Sequence, residues 1–176
     1  MGTVNRDGST CPVIDRTSGT VPKWAGGVRV VVRDDEGRIL LVRQRHEGRG
    51  IWMLPGGAIE ANETSRDAAA REVLEETGLT VQIGRLLWHI EEVSESRGQR
   101  FVNFFLARIT DGTARLGSDP ELGEVQVLDD IGFFSRAEVG ALEFLYPEAL
   151  RDEVWIAIDD GNAPDVWRQR EIFPEI

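Results

Sequence analysis

A single cysteine, Cys11, stands in 176 residues, which excludes an internal disulfide and a multi-cysteine metal site and leads us to expect a reducing compartment. Long apolar runs are missing too: none approaches the ~20 residues a membrane helix needs. The opening MGTVNRDGSTCPVIDRTSGTVP lacks the apolar core of a signal peptide, so the expectation is a soluble, cytoplasmic protein. Basic residues are scarce, 20 Lys+Arg against 31 Asp+Glu, for a formal charge of −11. Binders of nucleic-acid polymers usually carry a basic footprint, and this chain has the opposite balance. Anionic small molecules stay open as partners, provided a metal ion stands between the two negative surfaces. What is present is ordinary for a globular domain: 41% hydrophobic and 29% charged residues, in a length that suits one core.

Residues 1–23 are rich in Gly, Ser, Thr, Pro, Asn and Asp and are expected to form a flexible leader or arm. A folded domain is expected over 24–160 and a C-terminal tail over 161–176. Gly27–Arg33 and Arg38–Gln44 are strand-like, with Asp34–Gly37 as a hairpin turn between them. Ile51–Leu54 is a short apolar stretch ended by Pro55-Gly56-Gly57. Glu63–Thr77 has no Gly or Pro, and Ala68, Ala69, Val73 and Leu74 recur at helical spacing; Thr64 and Asp67 form a weak capping box, and Gly78 is a natural stop. Strands are predicted over Val81–Val93 and Arg100–Ile109 with a turn at Ser94–Gln99, and short extended pieces at Val125–Leu128 and Gly132–Phe134. A capping box at Ser135–Glu138 starts a helix through Leu142, and Pro147 opens a last helix, Glu148–Ile158. This order suggests α+β or mixed α/β layers around one sheet.

On the central helix Glu72, Glu75 and Glu76 stand at i, i+3 and i+4, an arc of roughly 100°. Like charges at this spacing destabilise an isolated helix by a few tenths of a kcal/mol. Two readings compete. One is a solvated helix face with Arg66 and Arg71 as surface partners; the other is a hard-cation site, since carboxylate oxygens suit Mg²⁺ or Mn²⁺ and the bound ion removes the repulsion.

The neighbourhood favours the cation. Residues 57–79, GAIEANETSRDAAAREVLEETGL, resemble the Nudix box, G-x5-E-x7-R-E-U-x-E-E-x-G-U, at every specified position: Gly57, Glu63, Arg71, Glu72, Val73, Glu75, Glu76, Gly78 and Leu79. At average residue frequencies, a chance full match is rarer than about one in a million. The lead-in Trp52-Met53-Leu54-Pro55-Gly56-Gly57 is similar to the family's usual approach, and a weaker likeness runs from Gly27 to about Val139.

The resemblance implies a Nudix-type α/β/α sandwich with a mixed central sheet, and hydrolysis of a nucleoside diphosphate linked to another group, with Mg²⁺ or Mn²⁺. It implies Glu72, Glu75 and Glu76 as metal ligands, Glu75 or Glu76 also deprotonating water, Gly56 as a ligand through its carbonyl, and Arg71 orienting Glu72 and binding the loop below it. Glu63 would tie the helix start to that loop. A further glutamate from a later loop is expected at Glu121, with Glu124 and Asp129 behind it. Arg43 and Arg45 alternate on one side of their strand and Arg29 lies on the preceding one; each is a candidate contact to substrate phosphate, against the alternative of a solvent-facing strand arginine. Trp52, Trp88 and Phe101 are candidates for stacking or for core. His46, His89 and Cys11 show no catalytic or metal pattern.

Short signatures of ADP-ribose-type and dinucleoside-polyphosphate-type members would fall near Ser94-Glu95-Ser96-Arg97, where neither the proline nor the tyrosine appears. A broad nucleotide di- or triphosphate specificity remains, including oxidised nucleotides. The alternatives are a nucleotide-sensing Nudix-like domain with little turnover, or isomerisation of a diphosphate, which needs an extra acid–base group. An exchange of the leader between two copies would give a homodimer.

Overall fold

The structure is a computed structural model that describes residues 26–46, 48–94, 98–117, 128–159 and 167–170. Its strands are β1 (Gly26–Arg33), β2 (Ile39–His46), β3 (Arg49–Met53), β4 (Leu79–Ser94), β5 (Gly98–Gly112), β6 (Leu128–Phe134), β7 (Leu145–Tyr146) and β8 (Trp167–Arg170). Its helices are α1 (Ser65–Thr77), α2 (Arg136–Ala141) and α3 (Glu153–Asp159). The strands form one mixed sheet in the order β7-β3-β2-β1-β5-β4-β8, with β6 added on β2. The parallel pair at its centre, β1 and β5, runs in register from Gly26↔Phe101 to Arg33↔Arg108.

β1 reads Val-Arg-Val-Val-Val because a central strand is covered on both faces. One face meets α1: Val28, Val30, Val32, Phe105 and Ala107 pack with Ala68, Ala69 and Val73. The other meets α2, α3 and the turn between them: Val31, Leu41, Trp88 and Phe104 pack with Val139, Leu150, Val154 and Trp155. The result is the expected α/β/α sandwich.

The predicted β1–β2 hairpin closes at its turn but does not zip up. Only Arg33↔Ile39 pair across it, because the rest of that β1 edge bonds the Pro55–Ile59 segment instead. Val28 N–H donates to Gly57 O at 2.9 Å, Val30 N–H to Pro55 O at 2.9 Å, and Ile59 N–H to Gly26 O at 3.0 Å. The loop that carries Gly56 and Gly57 is thus laid along the central strand. β2 turns to β3 and β6 for its partners.

The helix α1 begins on a reciprocal capping box between Thr64 and Asp67 and ends on Gly78 in the left-handed region, φ 69°. Leu74, which the apolar spacing assigns to the buried side, is 52% exposed. The predicted last helix breaks in two: a 3₁₀ turn at Glu148–Leu150, then α3. The carbonyl of Leu150 accepts the Trp155 indole N–H at 3.0 Å, while Trp155 N–H bonds Asp152 O. The helical ladder therefore restarts at Asp152. β7 and β8 were not predicted; β8 pairs parallel with β4 within the stretch expected as tail.

Candidate functional site

Glu72 and Glu76 are 5% and 6% exposed, so the solvated-face reading fails for both. Burial of a carboxylate is costly unless it is hydrogen-bonded or paired. The local sequence meets that cost with one arginine and two glycines. Arg71 Nη1 donates to Glu72 Oε1 and to Glu75 Oε2, each at 3.0 Å. Its Nη2 donates to Glu63 Oε1 at 2.8 Å and to Ala58 O at 2.9 Å, and its Nε to Glu63 Oε2 at 3.2 Å. One guanidinium thus joins two box carboxylates, the helix entry and the loop along β1. Glu63 in turn accepts Glu60 N–H at 2.7 Å, closing the helix entry on itself. The Arg71 guanidinium, with glutamate carboxylates on several sides, is held more strongly protonated than usual, first by its hydrogen bond to Glu63. The same bond holds the Glu63 carboxyl below its ordinary range.

The glycines give the carboxylates room. A Cβ on Gly57 would stand 2.5 Å from Glu72 Oε1. Gly56 lies at φ 140°, and a Cβ there would meet Val28 O at 2.1 Å. Its N–H donates to Glu76 Oε2 at 2.9 Å, fixing the second buried carboxylate against the loop. Its carbonyl accepts from Arg29 Nη1, which also donates to Leu54 O at 3.1 Å.

The arrangement brings the predicted residues Glu72, Glu75, Glu76, Arg71, Glu63, Gly56 and Arg29 into one connected set. Arg43 and Arg45 stand elsewhere, in a cluster around Asp129. Arg43 Nε donates to Asp129 Oδ1 at 2.7 Å and Arg45 Nη2 to Asp129 Oδ2 at 2.8 Å. The Arg43 hydrogen bond chiefly holds the Asp129 carboxyl below its usual range. Arg43 also lies over the Trp52 ring, 5.4 Å from its centre. These side chains line a cleft of about 390 Å³ together with Phe144. Asp129, one of the later carboxylates considered for the metal, is therefore engaged by two arginines. Trp88 is core, 2% exposed, and Phe101 stacks on His89 at 5.4 Å. Glu121, Glu124 and Cys11 lie outside the described residues.

Sequence reasoning missed Gly117. Beyond β5 the chain turns back over the C-terminal end of α1: Arg115 N–H donates to Thr77 O at 2.9 Å and Gly117 N–H to Glu76 O at 2.8 Å. A Cβ on Gly117 would stand 1.7 Å from Glu75 O. A glycine directly before an acidic loop was the signal available. Four residues before Glu121 in sequence, Gly117 fastens the chain to the backbone of the box glutamates.

The donor set suits a hard cation: three carboxylates and a backbone carbonyl, all oxygen. Among the described residues no three acidic, His or Cys side chains already converge on one point.

Comparison with known proteins agrees with the fold and the box. An octanoyltransferase of Myxococcus xanthus is 36% identical over 123 residues, covering 66% of this chain and 34% of that protein. The mouse 8-oxo-dGDP phosphatase NUDT18 is 36% identical over 114 residues, covering 64% and 32%. The match spans about a third of the length of these relatives. A crystal structure of a MutT protein from Methanosarcina mazei superposes with a TM-score of 0.62 at 22% identity, over 80% of this chain and 99% of that one. The NUDIX domain family model matches residues 23–175, which takes in α3 and β8 beyond the motif-bearing part, and the chain belongs to the Nudix family.

Proposed function

We propose that this protein is a Mg²⁺- or Mn²⁺-dependent pyrophosphohydrolase that cleaves the diphosphate linkage of a nucleoside di- or triphosphate derivative. The observation that carries the reading is the burial of Glu72 and Glu76 against Gly56 and Gly57 with Arg71 beside them. A helix with no use for a cation has little physical reason to bury two like charges four residues apart.

Glu72, Glu76 and the Gly56 carbonyl would hold the cation from one side, and Glu75, more exposed, from the solvent side. Bound metal supplies charge neutralisation at the diphosphate and lowers the pKa of a water molecule. Arg71 fixes the carboxylates so that little reorganisation is needed when substrate charge arrives. Glu75 or Glu76 then takes the proton of the attacking water, a general-base role that contributes typically ~10²–10⁴ in rate. Glu121 is proposed as the later-loop ligand, and Arg29 as a contact to substrate phosphate. The cluster of Arg43 and Arg45 supports a second, more distant substrate contact, with Asp129 setting its charge balance. The relative named for 8-oxo-dGDP supports oxidised nucleotides as members of the substrate class.

The test is a panel of 8-oxo-dGDP, 8-oxo-dGTP, ADP-ribose and a UDP-sugar, assayed for nucleoside monophosphate and phosphate release with Mg²⁺, Mn²⁺ or EDTA. We expect turnover of at least one, abolished by EDTA and lowered about 10²–10⁴-fold by Glu76→Gln. No turnover of any of them with either metal would favour the nucleotide sensor. Wild-type rates in Glu76→Gln would remove its assigned role.

A further inference from the structure

Four consecutive carbonyls of the loop that carries Gly56 and Gly57 are taken by three consecutive residues of β1. Pro55 O accepts from Val30 N–H and Gly57 O from Val28 N–H, each at 2.9 Å. Leu54 O accepts from Arg29 Nη1 at 3.1 Å, and Gly56 O accepts from the same nitrogen. The strand backbone thus serves every second carbonyl, and the side chain between those two N–H groups serves the alternate ones. Leu54, Pro55 and Gly56 are all buried, so their carbonyls need donors from the protein.

The loop has little of its own to hold it. Pro55 has no N–H to give, and two glycines in succession have wide conformational freedom. Gly56 nevertheless lies at φ 140°, pressed so closely on β1 that a Cβ would stand 2.1 Å from Val28 O and 2.9 Å from the Arg29 Cα. Its conformation matters beyond the loop, because its N–H donates to Glu76 Oε2 at 2.9 Å. Pro55 O belongs to the same planar peptide unit as that N–H and is fixed by Val30. The peptide units on either side, which carry Leu54 O and Gly56 O, are fixed by Arg29. Gly56 O is also the carbonyl assigned to the metal; a carbonyl oxygen has two lone pairs, and a donor on one fixes where the other points.

We propose that Arg29 is a positioning residue: its guanidinium pins the buried carbonyls of Leu54 and Gly56, and so holds the Pro55-Gly56-Gly57 loop and the Glu76 carboxylate bonded to it in the geometry that hydrolysis needs. This goes beyond the phosphate contact given to Arg29 under Proposed function, and it rests on that reading for the reaction it serves. An arginine suits the task because one nitrogen carries two N–H groups at the end of a long side chain; a lysine ammonium ends one bond short and acts as a point charge. The guanidinium charge opposes a cation at Gly56 O while the fixed carbonyl favours it, so metal affinity does not separate the two roles. Loop opening and the split between kcat and KM do.

The test compares the full chain as wild type, Arg29→Lys and Arg29→Met in one Mg²⁺ buffer. Amide hydrogen exchange is followed by NMR at Gly56, with Val73 in the middle of α1 as the reference. Loss of two hydrogen bonds to the loop should speed exchange at Gly56 about 10-fold in both variants and leave Val73 unchanged. Steady-state kinetics are then measured on whichever nucleotide of the panel is turned over. Positioning predicts kcat lowered about 10–100-fold in Arg29→Lys with KM near the wild-type value, since lysine keeps the charge that a phosphate meets and loses the bridge between carbonyls. A wild-type kcat in Arg29→Lys, or Gly56 exchange that matches the wild type in both variants, overturns the inference and leaves Arg29 as a phosphate contact at most. Exchange speeded equally at Gly56 and Val73 also overturns it, because the arginine then serves the whole fold. Absence of turnover by the wild type overturns the reading under Proposed function and the role in hydrolysis with it, while Gly56 exchange still decides whether Arg29 holds the loop.

Discussion

Arg71 meets Glu63, Glu72 and Glu75 with one positive charge, and the Ala58 carbonyl with the same group. Truncating it leaves the buried Glu72 carboxylate without its nearest cation, so Arg71→Ala should cost about 2–4 kcal/mol of stability at neutral pH. The pH dependence separates this role from simple packing. Glu63, whose folded pKa is lowered mainly by the hydrogen bond from Arg71, contributes stability that is fully present above its unfolded pKa of about 4.3 and is lost as pH falls through the lower folded value. The gap between wild type and Arg71→Ala, read from denaturant unfolding, should therefore be widest near pH 7 and narrow below about pH 4. A gap constant with pH would mean that the arginine stabilises by its methylene stem and not by its charge. Activity should fall in parallel, because Glu72 and Glu75 lose their common anchor.

At the scale of elements, α1 is the best-determined piece of the chain in sequence and also the one that shows where sequence stops. Thr64, Asp67 and Gly78 fix its ends through local chemistry, and the structure has the caps where the residues predict them. Which side of α1 is buried was not legible in the same way. Leu74 faces out while Glu72 and Glu76 face in, because the Gly56 N–H of the loop along β1 bonds Glu76 and Arg71, itself tied to that loop at Ala58 O, bonds Glu72, partners that no local pattern announces. The unzipped β1–β2 hairpin and the split last helix have the same origin: distant groups, the Pro55–Ile59 backbone and the Trp155 indole, take hydrogen bonds that local reading assigns to neighbours. Arg43 and Arg45 could be placed on one side of β2 by alternation, but Asp129, more than 80 residues on, could not be seen as their partner. Gly117 carries the prediction at this scale. Its N–H and that of Arg115 satisfy the last carbonyls of α1, and a methyl group at 117 would overlap the Glu75 carbonyl. Gly117→Ala should push the segment off the helix end, cost about 1–3 kcal/mol, and lower turnover by loosening the approach to the acidic loop. Gly140→Ala, in α2 with nothing within 4 Å of the new methyl, should be neutral or slightly stabilising. Equal melting curves and rates for the two variants would show that the Gly117 contact does not constrain the site.

For the molecule as a whole, the charge of −11 and the buried carboxylates bear on one measurable quantity, the response of stability to divalent cations. A ligand that binds only the native state stabilises by RT ln(1 + [L]/Kd), about 2.7 kcal/mol at a hundredfold excess over Kd. In a domain of this size each kcal/mol moves the melting temperature by roughly 2–4 °C, so saturating Mg²⁺ should raise it by about 5–10 °C. Any salt also relieves the self-repulsion of an acidic protein, and that contribution has to be separated. The separation follows from the difference between a screened field and a site. NaCl at the same ionic strength acts on every exposed carboxylate, whereas Mg²⁺ acts through the few oxygens that are fixed and partly dehydrated. Glu76→Gln leaves the overall charge almost unchanged, at −10, while removing one of those oxygens' charges. The shift from NaCl should therefore be small and the same in wild type and Glu76→Gln, and the shift from Mg²⁺ should be large in the wild type and mostly lost in the variant. Equal shifts from the two salts, or a Mg²⁺ shift that survives Glu76→Gln, would mean that the cation is felt by the whole surface and not held on the helix.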